Sequence, residues 1–132
     1  WQDTSTDELI VVEYKSQASS YKVETKSYLS SPFHEGYKIQ MDFYAYLLTE
    51  MGFKVSNTAY FLVCNANRGA EGFFGKLDFS ESLVPYSWNS DWIPQRLVEM
   101  LKTMNSEEIP HSNKSCENCA YAMQRTAVDQ MS

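Results

Sequence analysis

The sequence predicts an α/β fold in which a mixed central sheet is flanked by helices. Residues 9–15 and 59–65 are short apolar segments with the length and composition of strands. Between them, apolar side chains recur every four residues from about position 37 to 51, which predicts a helix that ends at Gly52. A strand, a helix and a second strand in this order are the pattern from which a helix-covered sheet is built.

The first strand is predicted to be the second half of a hairpin that starts at Trp1 and Gln2. Residues 3–8 are polar and form the turn, and a turn centred on Ser5 and Thr6 gives cross-strand partners whose numbers sum to about eleven. Asp3 then faces Glu8, about 16 Å along the strand from Glu13. Asp3 and Asp7 are therefore interpreted as turn residues.

The rest of the chain gives weaker patterns. Residues 16–32 are polar and serine-rich, and we expect an ordered loop or lid there. Residues 73–79 alternate in polarity and predict an edge strand with one solvent-exposed face. A second helix is expected at residues 93–104, with Pro94 in its first turn. The predicted apolar stripes are Ile39, Phe43, Leu47 and Met51 on the first helix, and Ile93, Leu97, Met100, Leu101 and Met104 on the second.

Composition limits the class of protein. With 132 residues and 43% hydrophobic content, the chain forms at most one domain with a substantial core. It has no apolar run long enough to span a membrane and no signal-peptide pattern. Three cysteines, an odd number, argue against a secreted disulfide framework and favour the cytoplasm. A net charge of −6 counts against simple nucleic-acid binding.

Four polar residues are candidates for a reactive site. Glu13 and Lys15 project from the same face of a strand, because side chains alternate along it. Gln40 and Tyr44 share one face of the predicted helix, because they lie four residues apart. A carboxylate that can hold Mg²⁺ or Mn²⁺, beside an ammonium group, suits the hydrolysis of phosphodiesters. The sequence therefore predicts that these four side chains converge.

A strand ending in Glu-x-Lys and followed by a Gln-x-x-x-Tyr helix resembles the PD-(D/E)xK nuclease superfamily, specifically its RecB-like branch. The resemblance continues through residues 37–40, 60–65 and 116–121, and so covers nearly the whole chain. It looks most like bacterial members with a Cys-x-x-Cys-x-Tyr near the C-terminus. The resemblance implies a restriction-endonuclease-like fold. Residues 1–132 would be the C-terminal part of one such domain, with the N-terminal part missing and a Cys-x-x-Cys tail at 105–132.

The resemblance also implies a metal-dependent DNA nuclease of repair, recombination or defence. Glu13 and the backbone carbonyl of Tyr14 would bind Mg²⁺ or Mn²⁺, Lys15 would stabilise phosphate charge, and Gln40 and Tyr44 would position the DNA backbone or Lys15. Three further lysines cluster near this site in sequence and are candidate DNA contacts: Lys22, Lys26 and Lys38.

The resemblance leaves one acid unassigned. The family places an aspartate on the strand that precedes Glu-x-Lys, and the hairpin register puts the residue facing Glu13 ahead of Trp1. We therefore expect the 132 residues to be part of a longer protein and to be inactive alone. Three alternatives stay open: the full nuclease, a nuclease-fold module that binds nucleic acid or protein without cutting, and an unrelated α/β interaction module.

Cys116 and Cys119 have the spacing of half a thiolate metal site. Related nucleases hold an iron–sulfur cluster with one upstream and three downstream cysteines, so a cluster or a Zn²⁺ site here needs ligands from outside these residues. Cys64 is expected to pack inside the sheet as a small hydrophobe. His34 and His111 are interpreted as surface histidines, with His111 as the fallback ligand.

Overall fold

A computed structural model of the protein describes residues 1–113 and 115–129. The chain divides into two compact units, Trp1–Ile93 and Pro94–Ser132. Its elements, in order, are β1 (Val12–Ser19), α1 (Thr25–Ser30), a 3-10 turn (Pro32–His34), α2 (Glu35–Glu50), β2 (Thr58–Asn67), β3 (Phe79–Ser87), α3 (Ile93–Met104) and α4 (Glu117–Asp129). None of the helices within the described ranges is long and apolar enough to cross a membrane.

The first unit contains a mixed three-stranded sheet with β2 at its centre. β1 runs parallel to β2, and β3 runs antiparallel to it. In the parallel pair, Glu13 lies beside Phe61, Lys15 beside Val63 and Gln17 beside Asn65. The predicted class, a mixed sheet flanked by helices, is confirmed. Because consecutive strand residues point to opposite faces, Glu13, Lys15 and Gln17 all project from one face.

The core lies between this face and the helices α1 and α2. Phe61 and Val63 of β2 are fully buried there, and so are Met41 and Ala45 of α2. Tyr28 of α1 completes the same cluster. The other face is much less covered, since the side chains of Tyr14 and Leu83 are exposed. β1 is therefore buried on one face only, and not largely buried as its apolar start suggests.

The hairpin at the N-terminus has the register that the sequence predicts. Gln2 and Leu9 form an antiparallel bridge, and the Asp3 N–H donates to the Glu8 carbonyl, so partner numbers sum to eleven. Asp3 Oδ1 accepts hydrogen bonds from the Ser5 and Thr6 backbone N–H groups. The Ser5 hydroxyl donates to the same oxygen, and this bond, followed by the backbone bonds, lowers the pKa of the Asp3 carboxyl. Asp3 is thus a turn residue and does not approach Glu13.

Two of the predicted segments are wrong in extent or type. Residues 16–32 are not a loop, because β1 continues to Ser19 and α1 follows it. Residues 16–19 belong to the strand although most of them are polar, because each pairs with a residue of β2. The last pair is Ser19 with Asn67. Residues 73–79 are not the edge strand, which is Phe79–Ser87 instead. The segment before it carries three glycines, and Gly75 has a φ of +72°, which does not fit a strand.

The helix α2 ends as predicted but is rotated from its predicted orientation. Gly52 has a φ of +86° and stops the helix after Met51. The predicted stripe is wrong, because Ile39, Leu47 and Met51 are exposed. The buried stripe runs through Met41 and Ala45 instead, two positions along, which is a rotation of about 200°.

A buried carboxylate accounts for that rotation. Asp42 is 6% exposed and accepts hydrogen bonds from the Tyr86 hydroxyl, the Asn89 N–H and the Trp92 indole N–H, at 2.9 to 3.0 Å. Burial, and then the bond to Asp42, raise the pKa of Tyr86 above its ordinary value. A carboxylate held by donors on β3 and on the segment after it can face only the sheet, so α2 turns Asp42 inward.

α3 has the predicted bounds, but its apolar stripe is only partly covered. Ile93 is fully buried, whereas Leu97, Met100, Leu101 and Met104 are exposed. α4, which follows Cys116, has no counterpart among the predicted elements.

Candidate active site

Glu13 and Lys15 form the centre of the site on β1. The Lys15 Nζ donates to Glu13 Oε1 at 2.9 Å, and both side chains are about one-fifth exposed. β1 brings them together because they lie two residues apart on one face. The pair is covered by α2 yet reachable from solvent, as a reactive carboxylate and ammonium must be.

α2 brings Gln40 and Tyr44 to the same place. The Lys15 Nζ also donates to Gln40 Oε1, at 2.9 Å, and the Gln40 Nε2 donates to the Tyr44 hydroxyl. The four side chains thus form one hydrogen-bonded chain from Glu13 to Tyr44. The predicted convergence of the strand and helix residues is observed, although the rotation of α2 was wrong.

Two aromatic residues that the sequence reasoning missed complete the surroundings of Lys15. The Lys15 Nζ lies 4.2 Å from the centre of the Tyr37 ring, a cation–π contact. His34 stacks on Tyr37 at 5.2 Å, and its Nδ1 lies 2.8 Å from the Tyr28 carbonyl oxygen. Tyr37 could have been found, because it lies three residues before Gln40 on the same helix face. His34 is half-buried, so its interpretation as a surface histidine was wrong.

The sequence reasoning also missed two side-chain amides, those of Gln17 and Asn65. Gln17 lies two residues after Lys15 on β1, and Asn65 is its partner on β2. The Gln17 Nε2 donates to Asn65 Oδ1 at 3.1 Å, and the Asn65 Nδ2 donates to the Ser19 carbonyl. Asn65 is buried. Gln17 continues the alternation of Glu13 and Lys15, which is the signal that could have found it. Gln17 and His34 line a cavity of about 250 Å³.

The candidate DNA-contacting lysines have different surroundings. Lys22 is exposed and borders the cavity next to Gln17. Lys26 is exposed on α1. The Lys38 ammonium binds the Glu35 carboxylate and the Leu29 carbonyl, which neutralises much of its charge. Lys22 and Lys26 are therefore exposed, whereas the Lys38 ammonium is engaged by a carboxylate and a carbonyl.

Glu13 fits a divalent cation of the Mg²⁺ type as one ligand of several. Such ions bind through one or two carboxylates and keep waters or take substrate phosphates as further ligands. Its Oε1 accepts from Lys15. Among the residues that the structure describes, however, no group of three histidine, cysteine or acidic side chains is placed to hold a metal. Glu13 and the Tyr14 carbonyl are the donors available at this point of β1.

The two C-terminal cysteines, Cys116 and Cys119, lie next to each other in space. The sulfur atoms of Cys116 and Cys119 lie 2.9 Å apart, and the Cys119 N–H donates to the Cys116 sulfur at 3.3 Å. Both are free thiols, and His111 does not join them as a third ligand in the described residues. That this pair needs ligands from outside these residues stays a prediction. Cys64 is half-buried on the less covered face of the sheet.

The fold and the site together define a restriction-endonuclease-like α/β protein. Comparison with family models gives a match to the PD-(D/E)XK nuclease superfamily over residues 2–124, and the chain belongs to this superfamily. Its members are generally nucleases and typically use Mg²⁺ or Mn²⁺. A search of curated proteins and a search of solved structures each return no match.

Proposed function

We propose that the protein is a metal-dependent DNA nuclease of the RecB-like type, acting in DNA repair, recombination or defence. The observation that carries this proposal is the hydrogen-bonded chain through Glu13, Lys15, Gln40 and Tyr44. It sets a carboxylate and an ammonium at 2.9 Å on one partly exposed surface, with an amide and a phenol holding the ammonium in place. The three free cysteines suit the reducing cytoplasm, which is the proposed location.

Each residue has a distinct role in this proposal. Glu13 and the Tyr14 carbonyl would hold Mg²⁺ or Mn²⁺, and the ion would supply an activated water and neutralise charge on the scissile phosphate. Lys15 donates to a phosphate oxygen and stabilises its developing charge. Gln40 fixes the Lys15 ammonium, and Tyr44 holds the Gln40 amide in the orientation that accepts from Lys15.

A second carboxylate is needed for a strong metal site, and we propose that it comes from outside the 132 residues. Asp3 is bound within its own turn and pairs with Glu8, so the described hairpin offers no acid opposite Glu13. The 132-residue chain should accordingly bind Mn²⁺ weakly and cleave little, whereas a longer form that supplies the acid should cleave.

The test is a cleavage assay on both lengths with labelled DNA in Mg²⁺, in Mn²⁺ and in EDTA. Glu13→Gln and Lys15→Met in the longer form should each abolish cleavage while thermal unfolding stays cooperative. Ile39→Ala, an exposed position on the same helix, is the matched control and should cleave as wild type. Cleavage that survives EDTA or Glu13→Gln would refute the proposed chemistry. Strong cleavage by the 132 residues would show that the second acid lies within them.

A second candidate is a nuclease-fold module that binds nucleic acid or protein without cutting. The observation in its favour is that the described residues offer no group of three metal-ligating side chains, together with the net charge of −6. Binding of DNA with no cleavage by the longer form, in either metal, would favour this candidate over the enzyme.

A further inference from the structure

Three cavities of the first unit lie at the carboxyl ends of the two parallel strands and share lining residues; together they are called the groove. The cavity of about 250 Å³ beside Gln17 shares Tyr21 and Lys22 with a second cavity of about 300 Å³. The second shares Asn67 and Asp78 with a third of about 440 Å³, which is lined by the loop between β2 and β3. The carboxyl ends of parallel strands are where α/β sheets bind ligands.

The groove begins next to the candidate active site. Gln17 follows Lys15 on the same face of β1, two residues or about 6.6 Å further on. His34, which lines the same cavity, stacks on the Tyr37 ring that contacts Lys15. A polymer whose phosphate rests on Lys15 would therefore continue into this groove with its next unit.

Aromatic rings, rather than cations, dominate the exposed surface of the groove. Tyr21 is 83% exposed between the first two cavities, and Phe74 is 84% exposed in the third. Lys22 is the exposed cation beside Tyr21, while Lys76 is paired with Asp78 at 2.9 Å. The Arg68 N–H donates to the Ser19 carbonyl. This bond joins the loop between β2 and β3, which carries Phe74, to the end of β1.

We propose that this groove binds unpaired nucleotides that flank the cleaved bond, with bases stacked on Tyr21 and Phe74; this rests on the proposed nuclease function. Flat exposed rings beside a polar strand end suit base faces, which a duplex keeps stacked inside itself. A purely apolar partner does not suit the amide and hydroxyl groups of Gln17, Asn67 and Ser19. Because one of its two exposed lysines, Lys76, is already paired with Asp78, affinity comes from stacking and depends little on salt.

The test is equilibrium binding to a fluorescein-labelled oligothymidylate of about 12 nucleotides, a length typical of single-strand sites. Fluorescence anisotropy in EDTA measures binding without cleavage. Tyr21→Ala and Phe74→Ala should each weaken binding about tenfold, whereas Tyr21→Phe, which keeps the ring, should bind as wild type. Phe53→Ala is the matched control, since Phe53 is an exposed ring that follows α2 at the other end of the sheet. Lys22→Ala should lower the slope of log affinity against log salt by about one.

The proposal would be refuted if the oligonucleotide did not bind, or if both alanine variants bound it as wild type. Tighter binding of the matched duplex would also refute it. The outcome is separable from that of the proposed function. Binding through Tyr21 and Phe74 by a protein that never cleaves would keep the groove and reject the nuclease. Metal-dependent cleavage, with unaffected binding in the two variants, would keep the nuclease and reject the groove.

Discussion

Lys15 and Gln40 are hydrogen-bonded at 2.9 Å across 25 residues of sequence, and this contact joins β1 to α2 at the candidate active site. The Lys15 ammonium is thereby held from three directions, by the Glu13 carboxylate, the Gln40 amide and the Tyr37 ring. A lysine with four rotatable side-chain bonds is costly to immobilise, and three partners offset that cost before substrate arrives.

Gln40→Ala should lower the rate of cleavage by about tenfold to a hundredfold, because the Lys15 ammonium loses the hydrogen bond that positions it. Gln40→Glu keeps an acceptor for Lys15 and should recover part of the loss. The measurement is kcat and KM on the longer, cleaving form. A purely structural role for Gln40 predicts instead a lower unfolding temperature with an unchanged rate per folded molecule.

Asp42→Ala should destabilise the first unit by about 2 kcal/mol, since it breaks three part-buried hydrogen bonds and leaves the donors of Tyr86, Asn89 and Trp92 without this acceptor. Denaturant unfolding gives the free energy. Asp91→Ala removes an exposed carboxylate from the same region and should change stability by less than about 0.5 kcal/mol. Equal effects of the two substitutions would mean that Asp42 does not fix the rotation of α2.

Tyr28 should make the protein sensitive to alkali. Burial, and then the nearby Tyr37, raise the pKa of Tyr28 from 10.0 to about 12. A raised folded-state pKa means that this stabilising contribution is complete below pH 10 and is lost as the pH rises towards 12. Tyr28→Phe should therefore retain stability over this window better than wild type, as measured by denaturant unfolding at successive pH values. Tyr21→Phe, at an exposed ring, should show no such gain.

Cys116 should react with iodoacetamide before Cys119. The hydrogen bond with the Cys119 side chain, and then those from the Cys119 and Asn118 N–H groups, lower the pKa of Cys116, whereas the bond with Cys116 raises the pKa of Cys119. Cys119→Ala should slow the alkylation of Cys116. Peptide mass spectrometry after brief labelling identifies the modified residue, and preferential labelling of Cys119 would contradict the inferred direction.

The same two cysteines should carry no stoichiometric metal in the 132-residue protein, because His111 does not join them and zinc needs four ligands. A longer form that supplies the missing donors should contain iron or zinc at about one site per chain. Elemental analysis of both forms decides this. Stoichiometric metal in the shorter form would show that no ligand from outside the 132 residues is needed. Absence of metal from the longer form would show that the two cysteines do not bind a metal.

Local patterns in the sequence determined the parts of the site that depend on a single element. The hairpin turn fixed the register of Asp3 and Glu8, since a short turn leaves its strands one way to pair. Alternation along β1 put Glu13 and Lys15 on one face, and the four-residue spacing put Gln40 and Tyr44 on one side of α2.

Only the tertiary structure decided how these elements face each other. The apolar residues of α2 allowed two orientations, and Gln40 lies between the predicted stripe at Ile39 and the true one at Met41. Burial of Asp42 against Tyr86 selected the second, a contact across 44 residues that no local pattern contains. The same holds for β1, whose polar end is a strand because β2 lies beside it. Periodicity is a property of one segment, whereas orientation and extent are set by the partner that a segment meets.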